Sequence, residues 1–307
     1  MKYVFLKNKI IPEEQSRVPL ATNALQYGNG VFGGVRGYWN SQEKRIYLLK
    51  PCEHFERLVN SAKILGMLPA KSMPYQVLEI VEIVKKLARR NKPQGDVYIR
   101  PFIFQSAPLL TPVISPEKGE PVLAMYMIEL GDYLSTSKGL KGIVTSWRRI
   151  DDAMAPPRGK VCGLYVNSSL ARSDAEAQGA DEAIFLNQDG SVCEGSAENI
   201  FIVRDGKLIT PPVCANILEG VTRQSIMEIA KNEGISVIER NVSRTELYIA
   251  EEVFLTGTAC QVAYFSKIDN RKIGTGRIGP ITKRLQEIYF DAVHGRLPEY
   301  KTWLTSI

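Results

Sequence analysis

Lys160 lies in the stretch Gly159-Lys160-Val161-Cys162-Gly163-Leu164-Tyr165, and further on the chain reads Glu194-Gly195-Ser196-Ala197-Glu198-Asn199. An amine, a phenol and a carboxylate at these places form a set with a definite chemical use. A cofactor that works through an aldehyde on a pyridine ring needs a lysine for a Schiff base and a hydrogen-bond donor at its ring oxygen. It also needs an acid that keeps the ring nitrogen protonated, so that the ring can accept electrons. The set suits pyridoxal phosphate. Ahead of Lys160 the rigid, turn-forming Ala155-Pro156-Pro157-Arg158-Gly159 points the same way, since a solvated surface lysine needs no such setting.

A phosphate group needs oriented donors more than any particular side chain. Leu218-Glu219-Gly220-Val221-Thr222 leads into a helix read from Arg223 onward, so the N–H groups of Val221 and Thr222 lie at a helix N-terminus. The Thr222 hydroxyl adds a donor, although taken alone it also reads as a simple N-cap. On the strand containing Tyr98-Ile99-Arg100, Tyr98 and Arg100 face the same side and could reach one ligand.

These segments belong to a longer series in a fixed order: Tyr27-Gly28, Val31-Phe32, Gly34-Val35-Arg36, His54 with Arg57-Leu58, Tyr98-Ile99-Arg100-Pro101, the Lys160 and Glu194 segments, Leu218 to Arg223, and Thr256-Gly257-Thr258-Ala259. On this series the chain resembles, from about residue 22 to about residue 284, the fold type IV pyridoxal-phosphate enzymes, or class IV aminotransferases. Among these it is most similar to the branched-chain amino acid aminotransferases.

The resemblance implies a two-domain α/β fold with the cofactor between the domains: a small α/β domain over residues 1–130, a linker over 131–139, and a large domain over 140–307 with a β-barrel-like sheet and flanking helices. It implies Lys160 as the Schiff-base residue and proton carrier, Tyr165 at the ring oxygen, and Glu194 at the ring nitrogen. Arg57 would hold phosphate, with Leu218, Gly220, Val221, Thr222, Gly257 and Thr258 completing the cofactor site. Tyr27, Phe32, Gly34, Tyr98, Arg100, Tyr133, Thr258 and Ala259 would bind substrate. Glu198 reads as a structural residue that holds the turn after Glu194.

The implied reaction moves the amino group of leucine, isoleucine or valine to 2-oxoglutarate, in a homodimer or larger assembly whose pockets are completed by the partner subunit. Gly33 stands where the family commonly carries glutamate, and Gln105–Thr111 lacks the glycine-rich pattern that usually follows the Tyr-x-Arg strand. An (R)-amine or D-amino-acid aminotransferase, or an aminodeoxychorismate lyase, is the alternative within the same fold.

The elements that must position these residues are mixed. Tyr3–Leu6 and Lys9–Ile11 read as a hairpin, Pro51–Leu65 as a helix, and Pro74 as the start of a second helix with the stripe Val77, Ile80, Val81, Val84, Leu87. Asp96–Phe104 and Pro121–Glu129 read as buried strands flanking a proline-rich loop. Asp189-Gly190 and Asp205-Gly206 mark hairpin turns, and helices are expected over Ser168–Gln178, Arg223–Asn232 and Pro280–Val293.

Gly28-Asn29-Gly30-Val31-Phe32-Gly33 satisfies a dinucleotide-binding pattern, yet no clean strand precedes it and no helix follows. A nucleotide-binding protein built on this loop is the reading from a different class. The bulk numbers exclude more than they assign. The 307 residues suggest about two domains. A net charge of +6 arises from dispersed groups, which argues against nucleic acid as a partner. No apolar run is long enough to span a membrane, five cysteines without a Cys-x-x-Cys pair fit a reducing cytoplasm, and two histidines argue against a metal site.

Overall fold

The protein's structure, a computed structural model, describes residues 2–68, 76–131 and 133–307. The chain forms two compact units that are not consecutive in sequence. One comprises Met1–Gly131, Gly159–Leu164 and Ala292–Ile307; the other comprises Asp132–Arg158 and Tyr165–Asp291.

Among the described residues the first unit holds an antiparallel sheet of eight strands. Its order is Leu304–Ser306, Arg45–Leu49, Val35–Asn40, Val97–Gln105, Pro121–Glu129, Tyr3–Leu6, Lys9–Pro12, with Gly30–Phe32 also pairing to Val97–Gln105. Tyr3–Leu6 and Lys9–Pro12 make the expected hairpin. The helices Pro51–Ile64 and Val77–Asn91 pack with the strands into one apolar core that includes Phe55, Leu58, Ile80, Val84 and Leu87. The helical stripe is therefore buried as its spacing predicts. Its expected start at Pro74 lies outside the described residues; the helix begins at Val77, where the Gln76 N–H donates to Glu79 Oε2 at 2.7 Å in a capping box.

Two features tie off this unit. The buried Arg36 guanidinium donates to the carbonyls of Leu130 and Gly131 at 3.2 and 3.1 Å and pairs with Asp96 at 3.4 Å. The C-terminal residues, which the sequence left without an element, form a 3-10 helix over Pro298–Trp303 and the edge strand Leu304–Ser306 on Arg45–Leu49. Three residues are too few for alternation to register as a strand.

The second unit carries a mixed sheet of nine strands among the described residues. Its order is Val192–Gly195, Glu182–Leu186, Leu140–Arg148, Gln261–Ile268, Glu252–Gly257, Asn199–Arg204, Lys207–Thr210, Val237–Glu239, with Arg271–Lys272 also on Gln261–Ile268. Leu140–Arg148 runs parallel to both neighbours. Asp205 and Gly206 both take positive φ, 50° and 67°, as a tight hairpin between twisted strands requires.

Two helices start earlier than expected. Tyr165–Ala177 is entered through the 3-10 turn Cys162–Leu164, so the polar run at Asn167-Ser168-Ser169 lies inside the helix rather than at its start. Val221–Asn232 begins two residues before Arg223 because extended Gly220 is its N-cap. Pro280–Val293 is a helix as expected.

The sheet of the first unit is tightly closed around Gly37. A Cβ there would fall 2.5 Å from Ile46 Cγ2 and 2.8 Å from Val97 Cγ2, both on buried branched side chains. Gly37→Ala is expected to destabilise the protein by about 1–3 kcal/mol, the scale for overpacking a core. Urea unfolding followed by far-UV circular dichroism checks this, with a midpoint equal to wild type as the contrary result.

Candidate active site

In the first unit Lys160 is held by its own main chain on two sides. The Phe32 N–H donates to the Lys160 carbonyl at 3.0 Å, and the Lys160 N–H donates to Ser61 Oγ at 3.1 Å. Ser61 Oγ in turn donates to the Arg57 carbonyl at 2.8 Å, so one helix anchors both Arg57 and the lysine segment. A bridge between Val31 and Val161, and a hydrogen bond from the Gly163 N–H to the Gly28 carbonyl, extend the pairing. Gly28 has φ of +68°, and a Cβ on it would stand 2.7 Å from the Gly163 Cα. The glycine-rich loop thus serves close approach of two backbones. A short helix, Asn23–Tyr27, precedes it and a strand, Gly30–Phe32, lies within it, whereas a dinucleotide site needs a strand before and a helix after.

Side chains converge on Phe32. Lys160 Nζ lies 5.1 Å from its ring centroid and the Arg100 guanidinium carbon 4.6 Å from it. Arg100 also lies over the Tyr98 ring and donates to the Tyr98 phenol oxygen at 3.0 Å, which confirms that the two share a face. Gly34 makes room for that phenol, since a Cβ on it would fall 2.0 Å from Tyr98 Oη. Among the described residues Arg100 has no carboxylate partner, and its buried Nε meets no acceptor. Gly33 packs on Pro101, where a Cβ would come within 2.9 Å of the ring, so a larger residue there would have to displace the Arg100–Pro101 strand. Tyr27, by contrast, ends its helix partly exposed.

Beneath this set His54 is buried, and its imidazole is pushed well below the usual value, first by burial and then by the charges of Arg57, Lys160 and Lys50. Three cations around one neutral ring make this region electropositive, as an anion site requires.

In the second unit Glu194 is 4% exposed and held on both oxygens. Arg149 pairs with Oε1 at 2.7 Å, while Asn199 Nδ2 and the Leu218 N–H donate to Oε2 at 2.9 and 3.1 Å. Asn199 Nδ2 also reaches the Leu218 carbonyl at 2.9 Å. Gly220 is required beside it, because a Cβ would fall 2.0 Å from Asn199 Oδ1. The helix that starts at Val221 leaves the N–H groups of Val221 and Thr222 without intrahelical acceptors. Thr222 is not the N-cap; its hydroxyl is buried and, among the described residues, without a partner, as is that of Thr256. Tyr165, the first residue of its helix, is within electrostatic reach of Arg149.

Thr256 and Gly257 end a strand that hairpins through Thr258 and Ala259 into Gln261. The half-exposed Tyr133 has its phenol raised chiefly by burial. Lys160, Arg57, Phe32, Gly34, Tyr98 and Arg100 thus fall in the first unit, and Tyr165, Glu194, Leu218, Gly220, Thr222, Thr258 and Tyr133 in the second.

Sequence reasoning passed over Ser61 and Arg149, and named Asn199 without a task. Ser61 had a signal: it lies four residues after Arg57, on the same helix face. Arg149 had a weaker one, a cation just past a strand end in a chain with a buried acid to neutralise.

The fold and these residues define a class. The chain matches the model of the class IV amino-transferases over residues 30–268, and it belongs to that family. Within it the chain is 47% identical to a protein of Aquifex aeolicus (strain VF5) named probable branched-chain-amino-acid aminotransferase, over 100% of this chain and 97% of that one. The branched-chain aminotransferase of the archaeon Thermoproteus uzoniensis, crystallised with norvaline, superposes with a TM-score of 0.92 at 39% identity, covering 99% and 98% of the two chains. The branched-chain amino acid aminotransferase from Thermobaculum terrenum, crystallised in its PLP-form (holo-form), gives a TM-score of 0.92 at 36% identity, covering 99% and 98%.

His54 makes the stability of the cofactor-free protein depend on pH. Neutral in the folded chain, it takes up a proton on unfolding below about pH 6.5, so acid favours the unfolded state. Between pH 7.5 and 5.5 this group is expected to remove about 1.4 kcal/mol of stability. In His54→Asn the loss over that range should shrink by this amount, as read from urea titrations; an unchanged pH dependence would exclude the buried neutral imidazole.

Proposed function

We propose that this protein moves the amino group of leucine, isoleucine and valine to 2-oxoglutarate, giving branched 2-oxo acids and L-glutamate, with pyridoxal 5'-phosphate as cofactor. The observation that carries the proposal is the Phe32–Tyr98–Arg100 cluster. A buried ring offers an apolar surface to a branched side chain, and beside it stands a guanidinium with no carboxylate partner among the described residues. One cluster then serves both substrates in turn. A second carboxylate buried without a cation would cost several kcal/mol.

The residues present fit the cofactor. When bound, it supplies a ring that accepts the electrons left as the substrate Cα loses its proton. Glu194, set by Arg149, Asn199 and Leu218, has the surroundings of an ionised carboxylate and holds a proton at the ring nitrogen. Tyr165 donates to the ring oxygen. Arg57, the N–H groups of Val221 and Thr222, the Thr222 hydroxyl and Thr258 hold the phosphate, a role that explains a buried hydroxyl with no partner among the described residues.

Lys160 Nζ, fixed through its main chain, binds the cofactor and carries the proton from the substrate Cα. Tyr98 and the Thr258-Ala259 backbone meet the α-carboxylate; Arg100, with Tyr27 and Tyr133, meets the γ-carboxylate of glutamate. Among the described residues no helix is long and apolar enough to cross a membrane. We read the working form as a homodimer or larger assembly in the cytoplasm.

Borohydride reduction of the cofactor-loaded protein is expected to label the peptide containing Lys160, and Lys160→Ala to abolish transamination; a label on another lysine would refute the assignment. Arg100→Leu is expected to raise the barrier of the glutamate half-reaction by about 2–4 kcal/mol and that of leucine much less. Single-turnover kinetics with each amino acid, and with D-alanine and (R)-1-phenylethylamine for comparison, tests both substrate and stereochemistry. Equal losses in the two half-reactions would remove Arg100 from the γ-carboxylate.

A further inference from the structure

Two buried carboxyls in the second unit have no task in the reaction described above. Glu182 is fully buried; its Oε1 accepts from the N–H groups of Ala183 at 2.7 Å and Ser196 at 3.3 Å, and its Oε2 faces Arg172 Nη1. Glu198 is 4% exposed, accepts from the Ala197 N–H at 3.0 Å, and is hydrogen-bonded to the Glu182 carboxyl. Two carboxyls in such contact away from water cannot both be ionised, and one proton lies between them. Arg172 decides its place. The guanidinium stands on Glu182, so the proton rests on Glu198, which donates it to Glu182.

Burial, then the Glu182 charge, hold the Glu198 carboxyl well above the usual carboxylate range; the Ala197 N–H and Arg172 oppose them without prevailing. Among the described residues, the other titratable groups in this neighbourhood are the Tyr133 phenol, raised by burial, the buried Cys260 thiol, and Glu176, which pairs with Arg172 at 3.0 Å.

The contacts of the pair fall on one loop. Gly195-Ser196-Ala197 joins Glu194 to Asn199; its Ser196 N–H rests on Glu182, its Ala197 N–H on the Glu198 carboxyl, and its Gly195 N–H on the Glu198 carbonyl at 2.7 Å. On the other side lies Gly257, which begins the turn at Thr258-Ala259; a Cβ on it would be in ordinary van der Waals contact with Glu198 Cγ, at 3.4 Å.

We propose that Glu198, buried beside Glu182 and Arg172, is a positioning residue that aligns the Glu194 loop with the Gly257–Ala259 turn. Its value for the reaction rests on the function proposed above; its protonation does not. A neutral acid at this place is replaceable by an amide, which has the same shape and can still donate to Glu182. A residue needed as an ion is not.

E198Q and E198A, both confirmed as folded by their melting curves, separate these cases. In E198Q the kcat/KM for leucine and for 2-oxoglutarate is expected to stay within about threefold of wild type. In E198A both KM values are expected to rise about tenfold, because both substrates carry the α-carboxylate that the turn meets. On the cofactor-free protein at pH 8, the infrared difference between wild type and E198Q is expected to show the carbonyl stretch of a protonated carboxylic acid.

An ionised carboxylate signal in its place, or a loss in E198Q as large as that in E198A, overturns the proposal. Should the wild type fail with leucine yet bind the cofactor, the substrate reading alone falls. The visible absorption maximum of the loaded protein then takes over as the test, expected to shift in E198A and to stay in E198Q; equal maxima in all three proteins overturn the positioning role.

Discussion

A carboxylate taken out of water is tolerated only where donors replace the water, and the second unit is organised around that constraint at Glu194. Arg149, Asn199 and the Leu218 N–H supply the replacement. Each comes from a different segment: the residue after a strand, the first residue of another strand, and the loop before a helix. Meeting the demands of one side chain therefore fixes the relation of three elements. Gly220 follows from the same demand, since only a residue without a side chain leaves space for the Asn199 amide. That glycine then starts the helix whose N-terminus presents the N–H groups of Val221 and Thr222.

The first unit solves a different problem. In the reaction proposed, a lysine that acts at a defined point cannot rely on its own flexible side chain; the Lys160 main chain is fastened to the Phe32 edge and to Ser61. The helix that contributes Ser61 also carries His54 and Arg57, and the imidazole stays neutral among cations because burial and their charge both oppose its protonation. The result is an electropositive region built from buried, well-supported groups. Arg100 extends it over Phe32 and Tyr98, where rings rather than an acid hold the guanidinium. An aromatic support keeps the cation in place without neutralising it, which a resident carboxylate would do.

Glu198 shows how a buried acid can work without charge. Four residues after a carboxylate paired with a cation, it is held neutral by the same physics applied with a different partner: Arg149 stands on Glu194, whereas Arg172 stands on Glu182 and leaves Glu198 the proton. Four residues of sequence separate two carboxyls with opposite electrostatic states.

Much of this was legible in the sequence because it is local. The stripe from Ile80 to Leu87, the Asp205-Gly206 turn, the shared face of Tyr98 and Arg100 and the free N–H groups ahead of Arg223 each follow from periodicity or backbone geometry within a few residues. The ordered blocks around Lys160 and Glu194 carried the family for the same reason, since a cofactor's demands appear as residue types at fixed places. Pairings across long stretches of chain were not legible. Nothing near residue 61 announces that its hydroxyl meets the Lys160 N–H, nothing at Arg149 names Glu194, and nothing after His294 says that three residues will close a sheet edge at Arg45–Leu49. The charge states of Glu198 and His54 belong to this second group as well. Protonation depends on burial and on which charges lie nearby in space, and both exist only once the chain has folded.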